Sequence, residues 1–130
     1  MQVTNVDIGG VVFADGEFMD GVLTFAGAGT VKAGTILARD TGTLKFVPFV
    51  KGGSTAGNGV PSVVLVDDVV ATGAGDVYCR PLMAGKVVQS KLVIDADGDG
   101  SNVDAAVLDG LRAYSVVAVK QIELGMLDNQ

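Results

Sequence analysis

The sequence predicts a mostly-β fold: a small β-barrel-like or β-sandwich domain with one short α-helix over about residues 102–113 and an extended N-terminal arm. Three observations predict it. Twenty-three of the 130 residues are valine, and β-branched side chains fill a pleated surface well. Nineteen glycines stand against three prolines, which provides for many short strands joined by tight turns. Residues 59–94 set the pattern on which the rest of the chain is organised: three short strands predicted at 63–66 (a β-branched and leucine run), 77–83 and 86–94, punctuated by Asp67-Asp68, by residues 72–76 and by Ala84-Gly85. In the last of these runs Val88, Leu92 and Ile94, with Ser90, alternate with Gln89 and Lys91, so one face is expected in the core and one in water.

In chain order, residues 1–20 are the least core-like. Val3, Val6 and Ile8, then Val11, Val12 and Phe13, form short apolar pieces separated by Asp7, Gly9-Gly10 and Asp15-Gly16. No alternation is sustained, and two readings stand: a frayed terminus with at most one edge strand, or an arm that orders against a partner by strand addition. Residues 21–130 form the single β-rich domain, expected to fold without it. Strands are predicted over 22–25, over 30–39 with a break at Gly34, and over 44–50, with turns at 27–29 and at Asp40-Thr41-Gly42. Pro48 has no N–H to donate, so its strand belongs at an edge or bulges there. Residues 51–59 (KGGSTAGNG) are a loop by composition. Ser101 with Asp104 has the spacing of a capping box ahead of a helix whose Val103, Val107, Leu111 and Tyr114 form a stripe to be buried. Gly110 weakens that helix by up to about 1 kcal/mol relative to alanine. A final strand is expected over 115–124, its apolar phase shifting across Lys120-Gln121 as a bulge would do.

Mean hydropathy is +0.46 and 48% of residues are hydrophobic, yet Asp, Lys or Gly interrupts every apolar run before the roughly 18–20 residues a spanning helix needs. Met1-Gln2-Val3-Thr4 lacks the basic start and apolar core of a signal peptide. The expectation is a protein made in a cytoplasm, not a membrane protein, whose surplus aliphatic surface covers a subunit interface. A net charge of −6, with the nine cations scattered, argues against nucleic acid as a partner. Cys79, the only cysteine, is expected to be a buried, inert thiol.

Little chemistry is left for catalysis. Without histidine there is no Ser-His-Asp triad, Cys-His pair or ordinary zinc site. Asp95, Asp97, Asp99 and Gly100 match the first half of an EF-hand loop, but the bidentate Glu expected at position 12 is Ala106. A solvated acidic turn ahead of a helix N-terminus is the better account. Asp67 and Asp68, adjacent at a strand end, point two ways and have no base beside them. Residues 52–59 lack the Gly-Lys-Ser/Thr ending of a phosphate loop, and no GxGxxG occurs. No catalytic residue, metal ligand or cofactor is expected.

Gly34-Thr-Ile-Leu-Ala-Arg39, residues 44–50, Val64-Leu-Val-Asp-Asp-Val-Val-Ala-Thr72, Met83-Ala-Gly-Lys-Val87 and a helix bearing Leu108, Leu111, Arg112 and Ala113 before a last strand carry a resemblance. In order and spacing, over residues 34–120, the chain resembles the lambda-type head-decoration proteins of tailed bacteriophages. The segment before Gly21 departs most from that pattern. The resemblance implies a β-rich fold with little helix and no catalytic residues. It further implies a homotrimer at the threefold positions of the expanded shell, bound to the major capsid protein on the outside of the virion and holding it against internal DNA pressure. On this view the arm orders on the shell, and Val3, Val6, Ile8, Val11, Val12 and Phe13 are the candidate capsid-binding residues.

Two other classes compete. One is a trimeric β-barrel ligand-binding module without catalytic activity, for example for carbohydrate; sugar platforms need exposed aromatics, and the chain has only Tyr78 and Tyr114 with no tryptophan. The other is a trimeric β enzyme, which requires Asp67, Asp68 or Asp76 to meet across a subunit boundary.

Overall fold

The structure is a computed structural model and describes residues 10–120. Its strands are β1 (Val12–Phe18), β2 (Gly21–Phe25), β3 (Gly29–Val31), β4 (Ile36–Arg39), β5 (Phe46–Pro48), β6 (Val63–Val64), β7 (Val69–Ala71), β8 (Gly75–Cys79), β9 (Leu82–Val88) and β10 (Val116–Val119), with one α-helix, α1 (Ala105–Ala113). Eight strands form one sheet in the order β1-β9-β6-β4-β5-β2-β8, with β10 parallel to β9. β3 and β7 form a separate antiparallel pair. The large sheet curls into a half-barrel, and the mostly-β expectation with one short helix holds.

Strand β4 explains how a small chain builds two cores. Its residues alternate between the faces of the sheet: Ile36 and Ala38 pack with Val64, Leu82 and Leu111, while Leu37 packs with Leu23, Phe46 and Val63. Ile36, Leu37 and Ala38 are all fully buried. A two-sided strand reads as an unbroken apolar run rather than an alternating one, which is how Ile36-Leu37-Ala38 and Val63-Val64-Leu65 are written. The first face is closed by α1 through Val107 and Leu111, the second by the β3–β7 pair through Val31, Val69 and Ala71. Burying each such aliphatic side chain contributes roughly 1.5–3 kcal/mol.

Several boundaries differ from those read in the sequence. The break between β8 and β9 falls at Arg80-Pro81, not at Ala84-Gly85. Pro81 has no N–H for a ladder, whereas Gly85 stays in β9 because its N–H donates to the Ser115 carbonyl (3.0 Å) at the start of the β10 pairing. Residues 89–91 form a 3-10 turn instead of strand, although Leu92 and Ile94 still arrive buried beyond it. β7 falls in a stretch left unassigned in the sequence: Val69 and Ala71 point inward and Val70 outward. The helix is capped by Asp104, not Ser101; an Asp104 carboxylate oxygen accepts from the Val107 N–H at 3.1 Å. Pro48 pairs with Leu37 of β4, while β2 meets β5 only at Phe46, so the proline sits where the second neighbour ends, as expected of an edge position.

The largest correction concerns residues 1–20. Val12–Phe18 is part of the main sheet, antiparallel to β9, and Val11 is 6% exposed in the core. β1 slips register between every pair of partnered residues, and such bulges scramble the two-residue period by which a strand is recognised. An arm separate from the sheet is therefore confined to residues ahead of Val11.

Candidate interaction surface

Four of the six carboxylates singled out for chemistry, Asp68, Asp76, Asp97 and Asp99, are used to fix turns and join elements. Asp68 accepts from the Ala33 N–H (2.8 Å), bracing the approach to β4. Asp76 accepts from Thr24 Oγ1 (3.0 Å) and Lys45 Nζ (2.6 Å), and the lysine holds its carboxyl below the ordinary value. Asp99 accepts from the Ser101 N–H (3.0 Å) and Asp97 from the Asn102 side-chain amide (3.0 Å). Among the described residues no three His, Cys, Asp or Glu side chains converge on a point that would hold a metal ion. Cys79 is buried, and burial pushes its thiol up, away from the reactive thiolate.

An apolar groove is the more distinctive feature. It has a volume of about 510 Å³ and lies where the start of β9, the end of β4 and the residue following α1 come together. Of the eight large hydrophobic side chains exposed among the described residues, four line it: Leu44, Val60, Met83 and Tyr114. Phe46 closes the floor at 1% exposure. At the rim the Arg39 guanidinium lies 5.3 Å above the Phe46 ring, and its Nε donates to the Leu44 carbonyl (2.9 Å). Exposed apolar side chains scattered singly need no explanation, but a cluster of them marks an interaction site.

Leu44 is the residue that argues most for contact with another molecule. Asp40 accepts from the Gly42 and Thr43 N–H groups (2.8 and 3.0 Å), which holds its carboxyl below the usual carboxylate value. Two backbone bonds, Leu44 N–H to Asp40 and Asp40 N–H to Lys45, close the same turn at 2.8 Å. The turn sets Leu44 at φ +63° with 60% of its surface exposed. A left-handed leucine costs about 1–2 kcal/mol, and exposure gives no burial in return within one protomer.

The six residues proposed to touch a partner separate into three groups. Val3, Val6 and Ile8 lie outside the described residues. Val11 is in the core, where its carbonyl accepts from the Val88 N–H (2.8 Å), and Val12 packs against the same cluster. Phe13 is half-buried on β1. The groove residues were missed in the sequence. Leu44 reads as the first residue of a strand, and Tyr114, at helical spacing from Leu111, reads as core, yet it is 51% exposed. Tyr114 follows the last helical residue, and leaving the helix turns its side chain off the buried stripe.

A family model described as bacteriophage lambda head decoration protein D matches residues 10–116, from the approach to β1 through the first residue of β10. No curated protein matches the chain.

Proposed function

The chain belongs to the bacteriophage lambda head decoration protein D family, and on that premise we propose that it is a cement protein of a phage head. It binds the outside of the expanded capsid as a trimer, contacts the major capsid protein and stabilises the shell against packaged DNA. Its role is structural, with no reaction and no cofactor. The observation that carries this reading is the family match, which spans nearly the whole described fold. The gathering of Leu44, Val60, Met83 and Tyr114 into one exposed groove supports a protein that works within an assembly.

Attachment is by the segment ahead of Val11, three copies acting together. Val3, Val6 and Ile8 are its apolar residues. Burying each contributes roughly 1.5–3 kcal/mol, against about 1–2 kcal/mol for ordering each backbone residue. Over the whole segment the ordering cost exceeds the burial gain, so the backbone must gain hydrogen bonds by strand addition. Linking three such contacts on one trimer then converts weak single attachments into a tight joint one. The test is co-sedimentation with emptied, expanded heads. The full chain is expected to pellet with the heads, and a chain lacking residues 1–9 to remain in solution while still folded. Equal binding by the two chains would show that the arm is not the anchor.

A further inference from the structure

The loop over residues 51–59 holds the only asparagine of the sequence that precedes a glycine. Of the four asparagines, Asn5 is followed by Val6, Asn102 by Val103, Asn129 by Gln130 and Asn58 by Gly59. The backbone nitrogen of the following residue can attack an asparagine side-chain amide, and a β-carbon on that residue, a branched one above all, hinders the approach. Gly59 has no β-carbon.

The loop holds this pair ready for the reaction. The Thr55 N–H donates to Asn58 Oδ1 (3.1 Å), so a backbone donor already lies on the oxygen where negative charge develops when Cγ is attacked. The main chain of Asn58 is fixed as well: its N–H donates to the Thr55 carbonyl (3.0 Å), and its carbonyl accepts from the Val50 N–H (2.9 Å). The nucleophile and the leaving group are both free. Neither the Gly59 N–H nor the Asn58 side-chain nitrogen has a hydrogen-bond partner among the described residues. Both residues are half-buried, so water reaches them. Asn102 is the opposite case. Its side-chain nitrogen donates to Asp97 (3.0 Å), and the N–H of Val103 is taken up by the Gly100 carbonyl (3.1 Å).

We infer that Asn58 is a site of self-modification in the folded protein, its side-chain amide being displaced by the nitrogen of Gly59. Hydroxide removes the Gly59 amide proton, and the nitrogen bonds to Asn58 Cγ. The Cγ–Nδ2 bond then breaks, and the departing nitrogen takes a proton from water and leaves as ammonia. Water opens the resulting cyclic imide at one or the other carbonyl, which gives an aspartyl or an isoaspartyl residue at position 58. Either product adds a negative charge beside the groove, which Gly57 and Val60 help to line. The isoaspartyl product also routes the main chain through the side-chain carbons, lengthening it by a methylene. That lengthening falls between the bond to Val50 and the point where Gly59 packs against the Gly53 carbonyl, too close for a β-carbon, so the loop loses its closure. The chemistry needs neither the trimer nor the shell.

Trypsin makes the test direct. Cleavage after Lys51 and Lys86, with Arg80 protected by Pro81, gives a peptide of residues 52–86 whose only asparagine is Asn58; residues 92–112 carry Asn102 alone. The full chain is held folded at about pH 8, where hydroxide supplies the base, and is sampled over weeks by mass spectrometry. The 52–86 peptide should convert from amide to acid at least about tenfold faster than the 92–112 peptide, and should split into two chromatographic forms. Conversion of Asn102 at an equal rate overturns the selection of Asn58. An Asn58 that stays intact in the folded chain, and converts only when the chain is unfolded in urea, shows that the loop protects it and overturns the inference. The isoaspartyl protein, separated by ion exchange, should melt lower than fresh protein by about 3–6 °C, the scale of one lost backbone hydrogen bond. Asn58→Asp, which keeps an acceptor for the Thr55 N–H, should melt close to the fresh protein. Equal melting of the isoaspartyl and fresh proteins overturns the loosening of the loop.

Discussion

Gly34 lies against the carbonyl oxygen of Lys91, so closely that a β-carbon on residue 34 would overlap that oxygen. The contact joins the turn before β4 to the 3-10 turn after β9. Around it the Val93 N–H donates to the Gly34 carbonyl (2.9 Å) and the Ile36 N–H donates to the Val93 carbonyl (2.9 Å). This junction delivers Leu92 and Ile94 into the core on either side of Val93. Gly34 also has φ +92°. Gly34→Ala should therefore lower stability by roughly 3 kcal/mol or more, combining a strained backbone with a clash against main chain that has no room to yield. Urea unfolding checks it, and a loss below about 1 kcal/mol would show that the junction relaxes.

Thr35, the next residue, is fully buried, and its hydroxyl has no hydrogen-bond partner among the described residues. An unsatisfied buried hydroxyl costs about 1–3 kcal/mol. Thr35→Val keeps the shape and removes the oxygen, so the variant should be more stable by about 1 kcal/mol in the same urea experiment. A destabilised variant would mean that the hydroxyl is satisfied after all.

Gly110 sits in the second turn of α1, where helix propensity alone favours alanine by about 0.8–1 kcal/mol. Packing reverses the sign. A β-carbon there would lie 2.6 Å from Cγ and 3.2 Å from Cδ of Pro61, a rigid ring. Gly110→Ala should accordingly destabilise the protein by about 1 kcal/mol net. Adding Pro61→Ala to it should recover stability, and the two changes will not be additive. A stabilised single variant would show that Pro61 moves aside freely.

What the sequence made legible was local chemistry. Gly34, Asp40 with Gly42, and the loop over 51–59 were all readable as turns because glycine and aspartate serve particular backbone geometries wherever they occur. Strand β4 was readable as strand, but not that Leu37 faces a different core from Ile36 and Ala38. The misreadings come from longer range. Gly85 looks like a breaker until β10 pairs with it, and β1 loses its alternation to bulges that only its pairing with β9 defines. The groove was illegible for a similar reason, since Leu44 gains its exposure from a positive φ that no residue type announces.

Acid should destabilise the fold within a definable window. Lys45 beside Asp76, Lys51 beside Asp104, and backbone N–H groups of Thr43 and Ser101 donating to Asp40 and Asp99 hold all four carboxyls below the ordinary 3.8. The unfolded chain therefore takes up protons first as pH falls, so the stabilisation is complete above 3.8 and is lost progressively below it. Melting followed from about pH 6 to pH 2.5 should show little change above pH 4 and a steady fall beneath it. The fall should be shallower at high salt for the lysine pairs, which are exposed. Asp76→Asn should lower the melting temperature at pH 6 and have a smaller effect at pH 2.5. A melting temperature that rises on acidification would contradict the sign.

Two deletions separate the arm from the sheet. Removing residues 1–9 leaves β1 and its pairing with β9 in place, so melting should shift by no more than a few degrees. Removing residues 1–20 takes away all of β1. It strips β9 of the partner that runs its length and withdraws Val11, together with Val12 and Phe18, from the cluster built around Leu82 and Val87. Full burial of Val11 alone contributes roughly 1.5–3 kcal/mol, and the ladder hydrogen bonds on one edge of β9 are lost with it. Set against the 5–15 kcal/mol that holds a typical domain together, the shorter deletion is tolerable and the longer one is not. The chain lacking residues 1–20 should be recovered without a cooperative melting transition, or with one lowered by tens of degrees. If it instead melts like the full chain, β1 is dispensable, and the arm extends to Asp20.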